Sequence, residues 1–285
     1  MAAVQLIECP RDAWQGLPTF IPTEVKIRYL SALLRVGFYT IDAGSFVSPK
    51  AVPQMQDTGE VLAALPYRDY PQTGILVIIA NSRGLEEAVA HPAVRYIGYP
   101  LSLSETFQQQ NTRQSRAEAE AFIPEIVQAA KTADKIPVVY LSMGFGNPYG
   151  ETYHPQEVID TAGRLVAMGV EIISLADTVG VATPDEVYTT LSKALEAVKG
   201  ITWGVHLHAD PSSAWAKVEA AWEAGCRRFD SALGGYGGCP FAGVPLVSNL
   251  RTETVIAFLR EKGALPPLNE MALLEAQALL PQAFV

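Results

Sequence analysis

His206-Leu207-His208 closes an apolar run that begins at Thr202. Residues two apart on a strand point to the same side, so both imidazoles can face one point. Two neutral imidazoles on one point are half of a divalent-metal site. The chain has four histidines, at 91, 154, 206 and 208, and this one tripeptide holds two of them. The plainer reading is a histidine pair that hydrogen-bonds in a core or at a strand end. Near the other end of the chain, Arg11-Asp12 follows a short apolar run. Asp12 offers an oxygen ligand, and Arg11 is a fixed cation able to hold a carboxylate or a developing enolate oxygen. The plainer reading there is a salt bridge.

Something must carry these residues, and the chain repeats one kind of unit. Apolar runs at 4–8, 38–42, 73–79, 94–99, 137–142, 172–176, 202–206 and 228–231 read as strands. Stretches of 3.6-residue spacing at 23–36, 55–65, 84–90, 116–132, 155–168, 184–198, 212–224 and 249–261 read as helices. Pro22-Thr23, Thr183-Pro184-Asp185-Glu186 and Ser212-Ser213 supply helix-start chemistry. Eight such pairs predict an α/β fold, a (β/α)8 TIM barrel formed by residues 1–285 as one domain. The extension at 266–285 carries one more helical run, 271–280, expected to pack outside the barrel. The same alternation permits an open doubly wound sheet, but eight regular units favour closure.

In a barrel the chemistry collects at the C-terminal ends of the strands. The sequence places its reactive residues there: Glu8 to Asp12, Asp42, Ser142 with Asn147, Asp177-Thr178, His206 to Asp210, and Asp230-Ser231. Asp12, His206 and His208 can therefore converge as one oxygen and two nitrogens, a set that suits Mg²⁺, Mn²⁺, Co²⁺ or Zn²⁺. The glycine-rich loop at 234–240 follows the last strand. Its glycines allow movement or close approach to a ligand. Cys239 within it is either a hydrophobic peg or an acid/base or nucleophilic thiol. A phosphate loop is the other candidate, but neither G-K-[ST] nor a helix-opening G-x-G-x-x-G is present.

Composition narrows the partners. The chain is 49% hydrophobic and 18% charged, with a net charge of −9, ordinary for a protein with a sizeable core. No basic cluster suggests nucleic acid or an anionic membrane. The apolar runs are too short to span a bilayer. The first residues lead into a strand without signal-peptide features. Cys9, Cys226 and Cys239 form no C-x-x-C pair and no disulfide framework. Reduced thiols, and a cytoplasmic protein, are expected.

The motifs together resemble the 3-hydroxy-3-methylglutaryl-CoA lyase family over nearly the whole chain. Pro10-Arg11-Asp12-Ala13-Trp14-Gln15 is similar to the family's P-R-D-G-L-Q. Ser45 to Lys50 and Val52 to Met55 are similar to S-F-V-S-P-K and V-P-Q-M. Ser174 to Gly180 is similar to S-L-x-D-T-I-G, Gly237 to Ala242 to G-G-C-P-Y-A, and Ser248-Asn249-Leu250 to the G-N-L that follows. The resemblance implies a metal-dependent TIM-barrel lyase with Asp12, His206, His208 and Asn249 as ligands to a divalent metal, Mg²⁺ or Mn²⁺ first. It implies that Arg11 stabilises an enolate, that His206 also moves protons, that Asp42 and Asp177 complete the proton network and orient substrate, and that Cys239 enters with a lid loop. The implied reaction is retro-Claisen cleavage of an acyl-CoA, with a homodimer as the expected assembly.

The departures bear on the substrate. Ala13-Trp14 replaces Gly-Leu, which places a bulky indole near the site. Gly16-Leu17-Pro18 lacks a lysine expected at the CoA end. Asp42 stands for a glutamate, Ala209-Asp210 for Asp-Thr, and Gly144 to Tyr149 loses a cysteine. Two further readings compete: an aldolase or Claisen synthase acting on another hydroxy acid or hydroxyacyl-CoA, and a non-catalytic barrel. The first is disfavoured by the short stretch beyond the barrel, the second by the intact Arg11, Asp12, His206, His208, Asn249 and Cys239.

Overall fold

The structure, a computed structural model, describes residues 3–238 and 247–284. Eight parallel strands run β1 (Gln5–Glu8), β2 (Thr40–Ser45), β3 (Gly74–Ile78), β4 (Val94–Ser102), β5 (Ile136–Ser142), β6 (Ile172–Asp177), β7 (Thr202–Leu207) and β8 (Arg228–Ser231). They pair in sequence order, and β8 pairs with β1 from Gln5↔Arg228 to Glu8↔Ser231, so the sheet closes into a barrel. Closure rules out the open sheet. The runs rich in Ile, Val and Leu are buried on both faces, as a parallel sheet requires. Leu76, Ile78, Tyr96, Val138, Tyr140 and Ile172 fill the barrel interior. The opposite faces of the strands join the helices in the larger core.

The helices are α1 (Pro10–Trp14), α2 (Thr23–Val36), α3 (Thr58–Ala64), α4 (Ser82–Ala90), α5 (Glu105–Thr112), α6 (Arg116–Ala121), α7 (Ile123–Thr132), α8 (Gln156–Ala167), α9 (Pro184–Ala197), α10 (Pro211–Glu223), α11 (Thr252–Glu261) and α12 (Glu270–Ala283). Thr183 and Glu186 form a reciprocal capping box at α9. Asn81 caps α4 by accepting from the Gly84 amide. α12 lies along α2, outside the barrel. No described helix is long and apolar enough to cross a membrane.

Three expectations change. The helix expected over 116–132 breaks at Phe122, because Pro124 has no N–H and fits only the first turn of a new helix. α5 was not expected, since of its eight residues only Phe107 and Gln108 are buried, too few for an apolar period. The helix expected from 249 starts at Thr252. Asn249 instead forms a β-bridge with His208, and that bridge brings the two side chains to one place.

Candidate active site

β1 ends at Glu8, and α1 begins two residues later with Pro10 in its first turn, where proline's fixed φ suits helix entry. This tight turn aims Arg11 and Asp12 across the mouth. Arg11 grips Asp42 of β2 with a fork: Nη2 to Oδ2 at 2.6 Å, Nε to Oδ2 at 2.9 Å and Nε to Oδ1 at 3.2 Å. Its Nη1 lies 3.2 Å from Asp12 Oδ1 and donates to Gln15 Oε1 at 3.0 Å. Such planar, two-pronged pairing fixes the guanidinium plane, which a lysine could not do. β2 changes register between Asp42 and Gly44, and a bulge of this kind re-aims side chains beside a site.

β7 delivers the two histidines. His206 Nε2 lies 3.3 Å from His208 Nε2 and 3.9 Å from Asp12 Oδ2. One ligand atom from each of Asp12, His206 and His208 falls within 4.8 Å of the others. Asn249 Nδ2 donates to Asp12 Oδ2 at 2.8 Å. Asp12, His206 and His208 therefore meet at one point, with Asn249 hydrogen-bonded to the Asp12 carboxylate. Burial favours a neutral Asp12, but Arg11 and the two imidazoles hold its carboxyl down at about 2. Burial and the neighbouring His206 push His208 down to about 4, which keeps that ring neutral. Burial also acts on His206, but Asp230 and Asp12 outweigh it and raise that ring. Burial lifts Asp42 to about 6 against the pull of Arg11.

A cavity of about 380 Å³ opens over this cluster. Arg11, Asp12, His206, His208 and Tyr140 form its floor, and Lys50 and Arg113 stand among its lining residues as exposed cations. Tyr140 meets the His206 ring edge-on, at 5.9 Å between centroids and 87°. Asp42 and Asp177 do not line the cavity. The Asp177 carboxylate accepts from Val181 N at 2.9 Å and Ala182 N at 3.2 Å and pairs with Lys217 at 2.8 Å. Lys217 also donates to the His208 carbonyl at 2.9 Å. Asp177 thus supports His208 from behind. Cys239 lies outside the described residues. Trp14 corrects the sequence reading: its indole is fully buried and turned from the cavity, with Nε1 donating to the Ala283 carbonyl at 2.9 Å. The indole fits there because the end of α12 reaches α1 and leaves it an apolar slot with Tyr29 and Phe284.

Two supporting residues gained no role in the sequence reading, which named Asp230 only as a strand-end residue and Lys217 not at all. Asp230 Oδ2 lies 3.3 Å from His206 Nδ1, and Asp230 Oδ1 accepts from Arg228 Nη1 at 2.7 Å. Asp230 stands opposite His206 in the β7–β8 register, so strand pairing was the signal. Gly204 makes room for Arg228: a Cβ there would sit 2.9 Å from Arg228 Nη1. Lys217 is the other, a lysine buried on the inner face of α10; a cation on an inward position was its signal. Cys9, His206 and Asp230 also come within 4.8 Å of one another. Asp230 is committed there to Arg228, and burial with four nearby acids keeps the Cys9 thiol protonated.

A closed β/α barrel with a carboxylate, two imidazoles, an amide and a clamped guanidinium at its C-terminal mouth is the arrangement of a barrel enzyme with a candidate metal site. Comparison with known proteins agrees. The HMGL-like family model matches residues 3–280. The mitochondrial hydroxymethylglutaryl-CoA lyase of Mus musculus is 35% identical over 281 residues, covering 98% of this chain and 85% of that protein. The cytoplasmic 3-hydroxy-3-methylglutaryl-CoA lyase of Rattus norvegicus is 34% identical, covering 91% and 75%. The structure of an HMG-CoA lyase from Acinetobacter baumannii, in complex with coenzyme A and 3-methylmalate, superposes with a TM-score of 0.91 at 33% identity, covering 99% of this chain and 91% of that one. The chain belongs to the HMGL-like family, and it is a carbon–carbon lyase.

Proposed function

We propose that this protein cleaves a 3-hydroxy-3-methylglutaryl-CoA-like thioester, by a retro-Claisen reaction, to acetyl-CoA and a keto acid such as acetoacetate. The carrying observation is the convergence of Asp12, His206, His208 and Asn249 beside the clamped Arg11 on one cavity floor. In this reading those four hold a divalent cation, Mg²⁺ or Mn²⁺ first, with Zn²⁺ or Co²⁺ as alternatives. The donors fit: an ionised carboxylate, a neutral imidazole at His208, an amide oxygen, and a His206 ring whose Nδ1 is engaged by Asp230 so that Nε2 faces the cluster. A cation held there would supply a Lewis acid that lowers the pKa of the substrate's hydroxyl.

Once the His206–Asp230 pair takes up the hydroxyl proton, the oxygen's electrons form the new carbonyl. The bond to the thioester's α-carbon breaks, and its electron pair passes to the thioester oxygen as an enolate. Arg11, its plane fixed by Asp42, stabilises that oxygen. His206 separates its two tasks: Nε2 faces Asp12 and His208, while a proton at Nδ1 is shared with Asp230. Cys239 is the acid assigned to the enolate carbon in this reading. Lys50 and Arg113 give the CoA phosphates cations at the cavity, in place of the lysine absent from 16–18. The whole of 1–285 acts as one domain. A homodimer in the cytoplasm remains the proposed setting, and the buried free thiols Cys9 and Cys226 suit a reducing compartment.

The test is to incubate the protein with Mg²⁺ or Mn²⁺ and a panel of 3-hydroxyacyl-CoAs and follow products by mass spectrometry. Acetyl-CoA and an equimolar keto acid from the methylglutaryl thioester are expected. Metal-dependent cleavage of another panel member alone would overturn the substrate, and no cleavage of any would overturn the reaction.

A further inference from the structure

Three aromatic residues, one of them the motif departure Trp14, gather at one place. Trp14 lies in α1, the short helix that carries Arg11 and Asp12. Tyr236 lies in the loop after β8, ahead of Asn249. Phe284 follows the last turn of α12 and touches both. Its ring stacks on Tyr236 at 4.4 Å and 11°. It is tilted against Trp14 at 6.1 Å and meets Tyr29 edge-on at 5.9 Å. Trp14 Nε1 fixes the end of α12 by donating to the Ala283 carbonyl, one of the last-turn carbonyls that a helix leaves unpaired.

The stack continues into the cluster. The Tyr236 carbonyl accepts from Asn249 Nδ2 at 3.0 Å, and the same nitrogen donates to Asp12 Oδ2 at 2.8 Å. Both amide protons are thereby engaged, and Asn249 Oδ1 is the atom left to face a cation. The next residue, Gly237, rests directly on α1. Its φ is +94°, and a Cβ there would sit 2.6 Å from Ala13 Cα and 2.8 Å from Asn249 Nδ2. A side chain has no room there, so Gly237 holds the loop close against α1, and the seat of the Tyr236 ring helps set the position of the carbonyl that orients Asn249. Phe284 is the surface on which Tyr236 rests.

We propose that Phe284 is a positioning residue of the metal site: stacked between Trp14 and Tyr236, it locks the Tyr236 carbonyl against Asn249 and so sets the Asn249 amide beside Asp12. This rests on the reading of Asn249 and Asp12 as cation ligands. The partly buried end of a helix far along the chain then belongs to the scaffold of the active site. Aromatic pairs of this geometry carry specific interaction beyond area burial, and partners that orient a ligand change metal affinity by about 10- to 100-fold when removed.

The experiment is Mn²⁺ titration by calorimetry on folded protein well below its Tm. Phe284→Ala should weaken Mn²⁺ binding about tenfold, and Phe284→Tyr should restore it. Tyr236→Leu removes the other half of the stack. The double variant should bind no worse than the weaker single variant, because the two rings act as one unit. Leu274→Ala, on the exposed face of α12, should leave binding unchanged. A purely structural role would lower Tm and leave the affinity alone. Wild-type affinity in folded Phe284→Ala, or effects of Phe284→Ala and Tyr236→Leu that simply multiply, would overturn the proposal. If Phe284→Ala does not fold, Phe284→Leu and Tyr236→Leu decide by the same criteria. Asp12→Ala and Asn249→Ala separate the failures: unchanged affinity in those variants sinks the ligand reading itself, whereas lost affinity there with none lost at Phe284 sinks only the positioning role.

Discussion

Asp230→Asn changes one atom and should undo the histidine it faces. In the wild type, Asp230 has two acceptors, one for Arg228 at 2.7 Å and one for His206 Nδ1 at 3.3 Å. An asparagine has one acceptor and one donor group. Arg228 only donates, is 2% exposed, and pairs with Asp230 alone among the described salt bridges. The asparagine oxygen must therefore turn to Arg228, which leaves its NH₂ facing His206. That ring must then accept at Nδ1 and carry its proton on Nε2, the nitrogen that faces Asp12 and His208. The variant leaves a buried cation without its counter-charge, which costs about 3–5 kcal/mol of stability. Cation affinity should fall about 10- to 100-fold, or roughly 1.4–2.7 kcal/mol. Urea unfolding reads the first effect, and Mn²⁺ calorimetry reads the second. Nitrogen-detected imidazole spectra of the metal-free protein should show the proton on His206 moving from Nδ1 to Nε2. Adding Arg228→Met frees the asparagine oxygen to turn back to His206, so the double variant should bind Mn²⁺ better than Asp230→Asn alone. Wild-type affinity in Asp230→Asn, or no gain from the second substitution, would refute the reasoning.

Arg11→Met should cut kcat by about 10²- to 10³-fold, as the loss of a donor to a developing oxyanion does, while Mn²⁺ affinity changes by much less; a calorimetric loss as large as the kinetic one would contradict an enolate role. Lys217→Met should leave Asp177 buried without its cation and destabilise the fold by about 3–5 kcal/mol, checked by urea unfolding, and should weaken Mn²⁺ binding through the released His208 carbonyl. Glu8 accepts from Thr252 Oγ1 at 2.6 Å and Leu233 N at 2.8 Å, and burial lifts its carboxyl to about 8 from 4.5. The folded state therefore holds a proton that the unfolded chain releases, and the stability this gives is present below 4.5 and drains as pH rises to about 8. Glu8→Gln should remove that slope, up to about 1.4 kcal/mol per pH unit, in urea unfolding followed from pH 5 to 8; parallel profiles for the two proteins would count against a protonated Glu8.

The sequence carried the barrel because its signal is repetition: eight apolar runs separated by helical periods leave few ways to bury both sheet faces. Asp12, His206 and His208 were readable for a related reason, since each sits where a strand ends and strand ends converge. Asn249 was found by motif but misplaced by pattern. The helical spacing reads on past its N-terminus, and only the bridge to His208 shows that residues 249–251 are not yet helical. What stayed hidden was relational. Asp230 and Lys217 matter through what lies opposite them in register or beneath them in the packing, at sequence separations of 24 and 9 residues from the histidines they hold. Local patterns carry no such information. Trp14 shows the same limit from the other side. Its position beside Arg11-Asp12 suggested an indole facing substrate, yet on this five-residue helix at the barrel mouth the long Arg11 side chain and the Trp14 indole meet different neighbours. Arg11 looks into the cavity, while Trp14 looks out toward α12 and closes on the ring of Phe284. The departure that seemed to touch the substrate therefore changes what stands behind the site, and differences from relatives in substrate choice must come from the cavity wall.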